Sequence, residues 1–431
     1  MKKLLKNCNF NGSPLNLLIN NEYIESTGSI LFPADSEYDL KGKIVLPGMI
    51  DLHTHIRDLG QSYKEDWTTA SKAALSGGVT TVFDMPNTVP PTDTLEHLEM
   101  KRQVAVKSSV NYGIYAGATP HNLADLRLIL EEGRIAGIKI FMAASSSNEV
   151  ISDEHYLKKI FQLAKEFDKP VLTHCELHSC IESREKQFTA PSYNSVKFHS
   201  IIRDRKCAYK AVKLALKIAA EVGNSLMVLH VSTREEMELI REYKQHGDFP
   251  LYCEVTPHHL FLDEEVLETA GNFGKVNPPL RSREDADALF GAVIDGVVDT
   301  IGSDHAPHGL KEKQLEYRKA PSGFPGLETS LPLLINRHLT NNDISIERII
   351  ELTSRTPSII MRTQKRGELK PGYFADITVI DPEAQWSVVS ENFNTKAKYS
   401  PYEGMSLRGK VIMTMVNGEE KHPQGQEVMY D

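Results

Sequence analysis

No apolar run in the 431-residue sequence approaches the roughly 18 residues that a membrane-crossing helix needs. The opening MKKLLKNCNF is basic but lacks the apolar core of a signal peptide, so a cytoplasmic protein is expected. Cysteine is sparse: Cys8, Cys175, Cys180, Cys207 and Cys253 are scattered and form no CxxC pair. That argues against a disulfide framework or a cysteine zinc site and predicts reduced thiols. Positive charge is not in excess. A formal net charge of −9 speaks against a general binder of nucleic acid or membrane surfaces, and points to a small-molecule partner. Low-complexity tracts and short repeats are absent too, and with 40% hydrophobic and 25% charged residues wholesale disorder is not expected.

What is present is a long alternation. A single core stops growing beyond ~250–300 residues, so one large and one smaller domain are expected. Between about residues 45 and 360, continuous apolar runs suited to a sheet covered on both faces alternate with amphipathic stretches. The runs are GMIDLHTH (48–55), TTVFDM (80–85), NYGIYAG (111–117), GIKIFM (137–142), PVLTH (170–174), SLMVLH (225–230), LYCEV (251–255) and DTIGSD (299–304). Residues 63–78 and 204–223 are predicted helices, the first stopped by Gly77 and Gly78. Eight such units predict an α/β fold, a (β/α)8 TIM-type barrel over residues 46–366, with an open doubly wound sheet as the alternative. Short strand patterns at 1–45 and 367–431 predict a small β-sandwich domain built from both chain ends.

Active sites of such barrels lie at the C-terminal ends of the strands. There the sequence places His53, His55, Asp84, Asn87, Lys139, His174, His230 and Asp304. His53 and His55 are two apart in an extended segment, so both can face one ion or be structural, hydrogen-bonded histidines. His174 and His230 have the same two readings, and Asp304 could cap a turn. Taken together, four histidines and an aspartate on separate strands suit a hydrolytic site with two divalent ions, zinc or a similar metal. Lys139, inside an apolar strand, is either a carbamate bridging the ions, formed by its neutral amine and carbon dioxide, or a buried lysine paired with an acid. The Gly- and Pro-rich stretch 319–329 is a candidate active-site loop or a plain connection.

The motifs DLHTHIR, DMPNT with PPT, KIFM, THCE, LHVST, CEVTPHHL, KVNPPLRS, GSDHAPH and RGELKPGYFADITVID, in this order, resemble the cyclic amidohydrolases of the metal-dependent amidohydrolase superfamily, and within them the dihydroorotases. The resemblance implies one metal on His53, His55 and Asp304, another on His174 and His230, and carboxylated Lys139 between them. It implies that Arg57, Asn87 and His308 read a substrate carboxylate, that Asn277 sits by the ring, and that Asp304 shuttles the proton. Hydrolysis of L-dihydroorotate to N-carbamoyl-L-aspartate, reversible and part of pyrimidine biosynthesis, would be the reaction, and a homodimer the assembly. Two features depart from the pattern. Many bacterial dihydroorotases of this length look as if they carry aspartate where Lys139 stands, and Asp58-Leu59 replaces a usual Glu-Pro. His258 and His259 are expected to support the rim by hydrogen bonding. His97, His121, His155, His178, His199, His246, His338 and His422 are expected to be ordinary polar residues. The rivals are a hydantoinase, dihydropyrimidinase or allantoinase, which Lys139 favours, and a non-catalytic scaffold.

Overall fold

The computed structural model describes residues 1–29, 33–144, 150–420 and 424–430. Ser145–Ser147 of the lysine motif and His422 lie outside them. Seven strands from the two ends of the chain form one sheet: β1 (Lys2–Phe10), β2 (Ser13–Asn20), β3 (Tyr23–Gly28), β4 (Ser36–Asp39), β5 (Ile44–Pro47), β15 (Ile377–Ser387) and β16 (Ser406–Met415). Its order is β16-β15-β5-β1-β2-β3. The sheet forks at β1, which pairs β4 along its first half and β5 near its end. Leu5, Leu17, Ile24, Val45, Ile377 and Met415 therefore meet in one buried cluster.

The barrel follows without a break. Gly48 joins β5 to β6, and a Cβ there would lie 2.2 Å from the Thr80 side chain, so only glycine lets the chain pass. The barrel strands are β6 (Met49–Thr54), β7 (Val79–Asp84), β8 (Asn111–Ile114), β9 (Ala116–Gly117), β10 (Ile138–Phe141), β11 (Val171–His174), β12 (Leu226–Val228), β13 (Leu251–Val255) and β14 (Thr300–Ile301). Neighbours are parallel throughout. β8 and β9, separated only by Tyr115, occupy one position, giving the eight expected. A bridge between Thr54 and His305, with His55 N donating to His305 O at 2.8 Å, links the last strand to the first.

Ile50, Leu52, Phe83, Tyr115, Leu172 and Met227 fill the lumen, so the barrel is a packed core and not a pore. A register shift between Asp51 and Thr54 then changes which side chains of β6 face inward. Below it Ile50 and Leu52 join the lumen; above it His53 and His55 reach the cavity.

Two local expectations change. The first helix starts at Trp67, not at 63, because Asp66 caps it by accepting from Thr69 N at 2.9 Å. Lys64 and Glu65 are instead buried at the barrel rim. The expectation of reduced thiols holds for Cys8, Cys175 and Cys253 but not for Cys180 and Cys207, which form a disulfide. They are 27 residues apart, and only the packing of the His178–Glu185 helix on the Arg205–Val222 helix brings their Cα atoms to 5.4 Å.

Candidate metal centre and active site

His53, His55, Lys139, His174, His230 and Asp304 line one cavity, closed by Phe141, Val276, Asn277, Ala306, Ser322 and Gly323. The loop expected at 319–329 thus contributes to the wall. All six polar residues are buried. Arg57, His230 and Asp304 have φ of +63°, +36° and +44°, a region that non-glycine residues seldom adopt and that clusters at functional sites.

The hydrogen bonds of the histidines decide which ring nitrogen keeps a lone pair. His53 Nδ1 is 2.7 Å from Glu254 Oε1, and His55 Nδ1 is 2.6 Å from Asn87 Oδ1. Donation outward from each Nδ1 leaves both Nε2 atoms bare, at 3.4 and 3.2 Å from Asp304 Oδ1. Likewise His174 Nε2 faces Glu176 Oε2 at 3.0 Å, so its Nδ1 is bare and meets His230 Nε2 at 2.9 Å. The two bare Nε2 atoms of His53 and His55 and the Asp304 oxygen repel one another unless a cation sits among them, whereas His230 Nε2–H is free to donate to His174 Nδ1. The donor set fits divalent metal, and the three first ligand atoms lie within 4.8 Å of one another.

Lys139 Nζ has no hydrogen-bond partner among the described residues. No acid among the described residues is hydrogen-bonded to it, so the acid-paired reading finds no support there. Burial pushes its pKa down to about 8, against the opposing pull of Asp304 and Glu254, which keeps a neutral, nucleophilic amine within reach of ordinary pH. Burial, then the charge of Asp304, pushes Glu254 up to about 8, a strain that a cation among these groups would relieve.

The residues expected around a substrate carboxylate are differently placed. Arg57 is 1% exposed, and its Nε and Nη2 have no partner among the described residues. Its charge acts on His55 and His308, and burial lowers its own pKa against the opposing pull of Asp304 and Asp84. His308 takes Lys64 Nζ at Nδ1 (3.2 Å) and gives Nε2–H to Ser322 O (3.0 Å). Asn87 orients His55, and Asn277 lines the cavity while its Oδ1 accepts from His199 Nε2 at 2.8 Å. Asp84 is no ligand: it accepts from Ile56 N at 2.8 Å and pairs with Lys101 at 2.7 Å, fixing the backbone that carries Arg57.

Several residues that stand behind the cavity histidines escaped the sequence reading. Glu254 and Glu176 orient His53 and His174, and Arg203 in turn holds Glu176, whose pKa it lowers. Asp51 accepts from the backbone of His53 and of Ser303, both at 3.1 Å. His199, read as an ordinary polar residue, is 4% exposed and bonds Asn277 and Tyr317. The signal for the acids was there: a glutamate inside or just past an apolar strand, in CEV and THCE. His259 behaves as expected, bonding Thr256 and Pro278 O beside Asn277.

A barrel with histidines, a lysine and an aspartate at its strand ends defines a metal-dependent hydrolase. The chain belongs to the amidohydrolase family, whose model matches residues 44–421. Within it, the dihydroorotase of Methanosphaera stadtmanae is 36% identical over 425 residues, 96% of this chain and 95% of that protein. The dihydroorotase of Staphylococcus aureus (strain Mu50) is 32% identical over 423 residues, 94% of each. Among solved structures, the L-hydantoinase (dihydropyrimidinase) of Arthrobacter aurescens superposes with a TM-score of 0.94 at 30% identity, covering 99% of both chains. The dihydropyrimidinase of Brevibacillus agri NCHU1002 gives 0.91 at 27% identity, covering 99% of this chain and 98% of that one.

Proposed function

We propose that the protein is a dihydroorotase, catalysing reversible hydrolysis of the ring amide of L-dihydroorotate to N-carbamoyl-L-aspartate, a step of pyrimidine biosynthesis. The observation that carries this is Arg57: a buried guanidinium with two unfilled donors, beside a hydrolytic site, fits a substrate carboxylate that dihydrouracil and hydantoin lack. An uncharged ring would leave that charge unpaired.

His53, His55 and Asp304 would hold one divalent ion and His174 and His230 a second, with carboxylated Lys139 shared between them; zinc suits these donors. Such ions supply Lewis acidity toward the ring carbonyl and a water that ionises near neutral pH. Asp304 accepts the proton of the attacking water and returns it to the departing ring nitrogen. Arg57, with Asn87 and His308 near it, grips the carboxylate; Asn277, Ser322 and Gly323 bound the ring. A cytoplasmic location, a homodimer and a small molecule as the sole partner belong to the same proposal, and no described helix is long and apolar enough to cross a membrane.

The hydantoinase reading keeps one observation in its favour, Lys139 in a fold close to the hydantoinases. The test is turnover of L-dihydroorotate beside dihydrouracil, hydantoin and allantoin, before and after chelation and zinc restoration, in the native protein and in Arg57→Met. Chelator-sensitive turnover of dihydroorotate alone is expected. Arg57→Met should lose about 2–5 kcal/mol of transition-state stabilisation, the range for removing one partner of a buried charge pair. Turnover of an uncharged ring with Arg57→Met unaffected would transfer the protein to the hydantoinases.

A further inference from the structure

Every carbonyl from Ala320 to Phe324, in the loop along the cavity, accepts a hydrogen bond. Lys275 Nζ donates to Ala320 O at 2.6 Å and also to Tyr317 O at 2.8 Å. Lys313 Nζ donates to Pro321 O and Gly323 O, each at 2.9 Å, and to Lys275 O at 3.2 Å. His308 Nε2 serves Ser322 O at 3.0 Å, and Ala306 N serves Phe324 O at 3.0 Å. Beyond the stretch, Gly326 N donates to His305 Nδ1 at 3.2 Å.

A lysine ammonium has three donors, and all three of Lys313 go to backbone carbonyls. Lys313 is 1% exposed and Lys275 8%. Burial pushes the Lys275 amine down to about 8 and Lys313 well below its ordinary value, so placing two amines here is costly. Leucine-like packing would fill the same space without that cost. What the amines add is a fixed direction for consecutive carbonyls. Gly323, at φ +122°, lets the chain lie against Ala306, whose carbonyl oxygen would be 2.5 Å from a Cβ.

We infer that Lys275 and Lys313 are positioning residues: their amines clasp the Ala320–Phe324 backbone into a preset wall of the substrate cavity, so that Ser322 and Gly323 stand ready against the ring. The inference rests on reading the site as that of a cyclic-amide hydrolase. A wall set in advance spares the binding step the ordering of a Gly- and Pro-rich loop.

The test compares Lys313→Met and Lys275→Gln with the native metal-loaded enzyme by hydrogen exchange of peptides spanning 314–326, metal content, and separate KM and kcat for dihydroorotate. Expected are exchange faster by roughly tenfold confined to 314–326, unchanged metal content, and a KM raised roughly 10- to 100-fold with a smaller change in kcat. Unchanged exchange and KM in either folded variant would overturn the inference. So would exchange rising across the whole barrel with metal lost, since that marks ordinary core support. If Lys313→Met does not fold, Lys275→Gln, whose shorter, neutral side chain withdraws the charged amine from Ala320 O and Tyr317 O, decides. If native enzyme turns over no cyclic amide, the functional reading falls, while the exchange data still judge the clasp.

Discussion

At Lys139 a fully buried amine has neither acid nor carbonyl to bond among the described residues, whereas Lys101, equally buried, pairs with Asp84 and donates to Met85 O. The contrast is what the proposed carbamate on Lys139 requires. Below a pKa of about 8 the Lys139 amine is mostly protonated and inert toward carbon dioxide; above it the neutral form dominates. Reactivation of chelated enzyme with zinc should therefore be faster with bicarbonate than without it, and its rate should rise with pH through about 8. Lys139→Ala should recover little activity under any of these conditions. Reactivation indifferent to bicarbonate would remove the carbamate.

Among the elements, the short segments that carry Glu176 and Arg203 are joined by three links. Glu176 pairs with Arg203, Leu177 N donates to Cys207 O at 3.0 Å, and Cys180 is bonded to Cys207. The disulfide therefore ties together the two segments whose ion pair orients His174. Thiol titration of protein unfolded without reductant should find three reactive cysteines, and five after reduction. Five without reductant would mean the bond does not form in the purified protein. The register shift in β6 is a second decisive element, since without it the alternation of the strand would send His53 and His55 away from the cavity that Ile50 and Leu52 underlie.

For the whole molecule, the buried titratable groups define the pH range of greatest stability. Burial lowers His199 to about 3 and His259 to about 4, below the ordinary 6.5 of the unfolded chain. Their contribution is complete above 6.5 and is lost progressively as pH falls from 6.5 through 4 and 3, because the unfolded chain binds the extra protons. Burial raises Glu236 from 4.5 to about 7, so its contribution is complete below 4.5 and is lost as pH rises through 7. Each pKa unit is worth about 1.4 kcal/mol. The unfolding temperature should therefore be highest near pH 6.5–7, fall steadily as pH drops from about 6 toward 3, and change little from 7 to 8. A flat profile from 3 to 5 would mean these histidines are hydrated in the native state.

Local pattern was enough to read the barrel strands and the polar residues that line the cavity, because a continuous apolar run closed by a polar residue is a short-range signature of a buried strand with its end exposed to a site. His53, His55, Lys139, His174, His230 and Asp304 were all legible in that way, as was the sheet built from both chain ends. Tertiary structure alone decided what stands behind them. Glu254 meets His53 across 201 positions of sequence, His199 meets Asn277 across 78, and Lys313 reaches back 38 residues to Lys275 O. No local periodicity encodes such pairs. They arise when barrel closure and loop packing bring distant segments together, and burial then makes each unpaired polar atom too costly to leave alone.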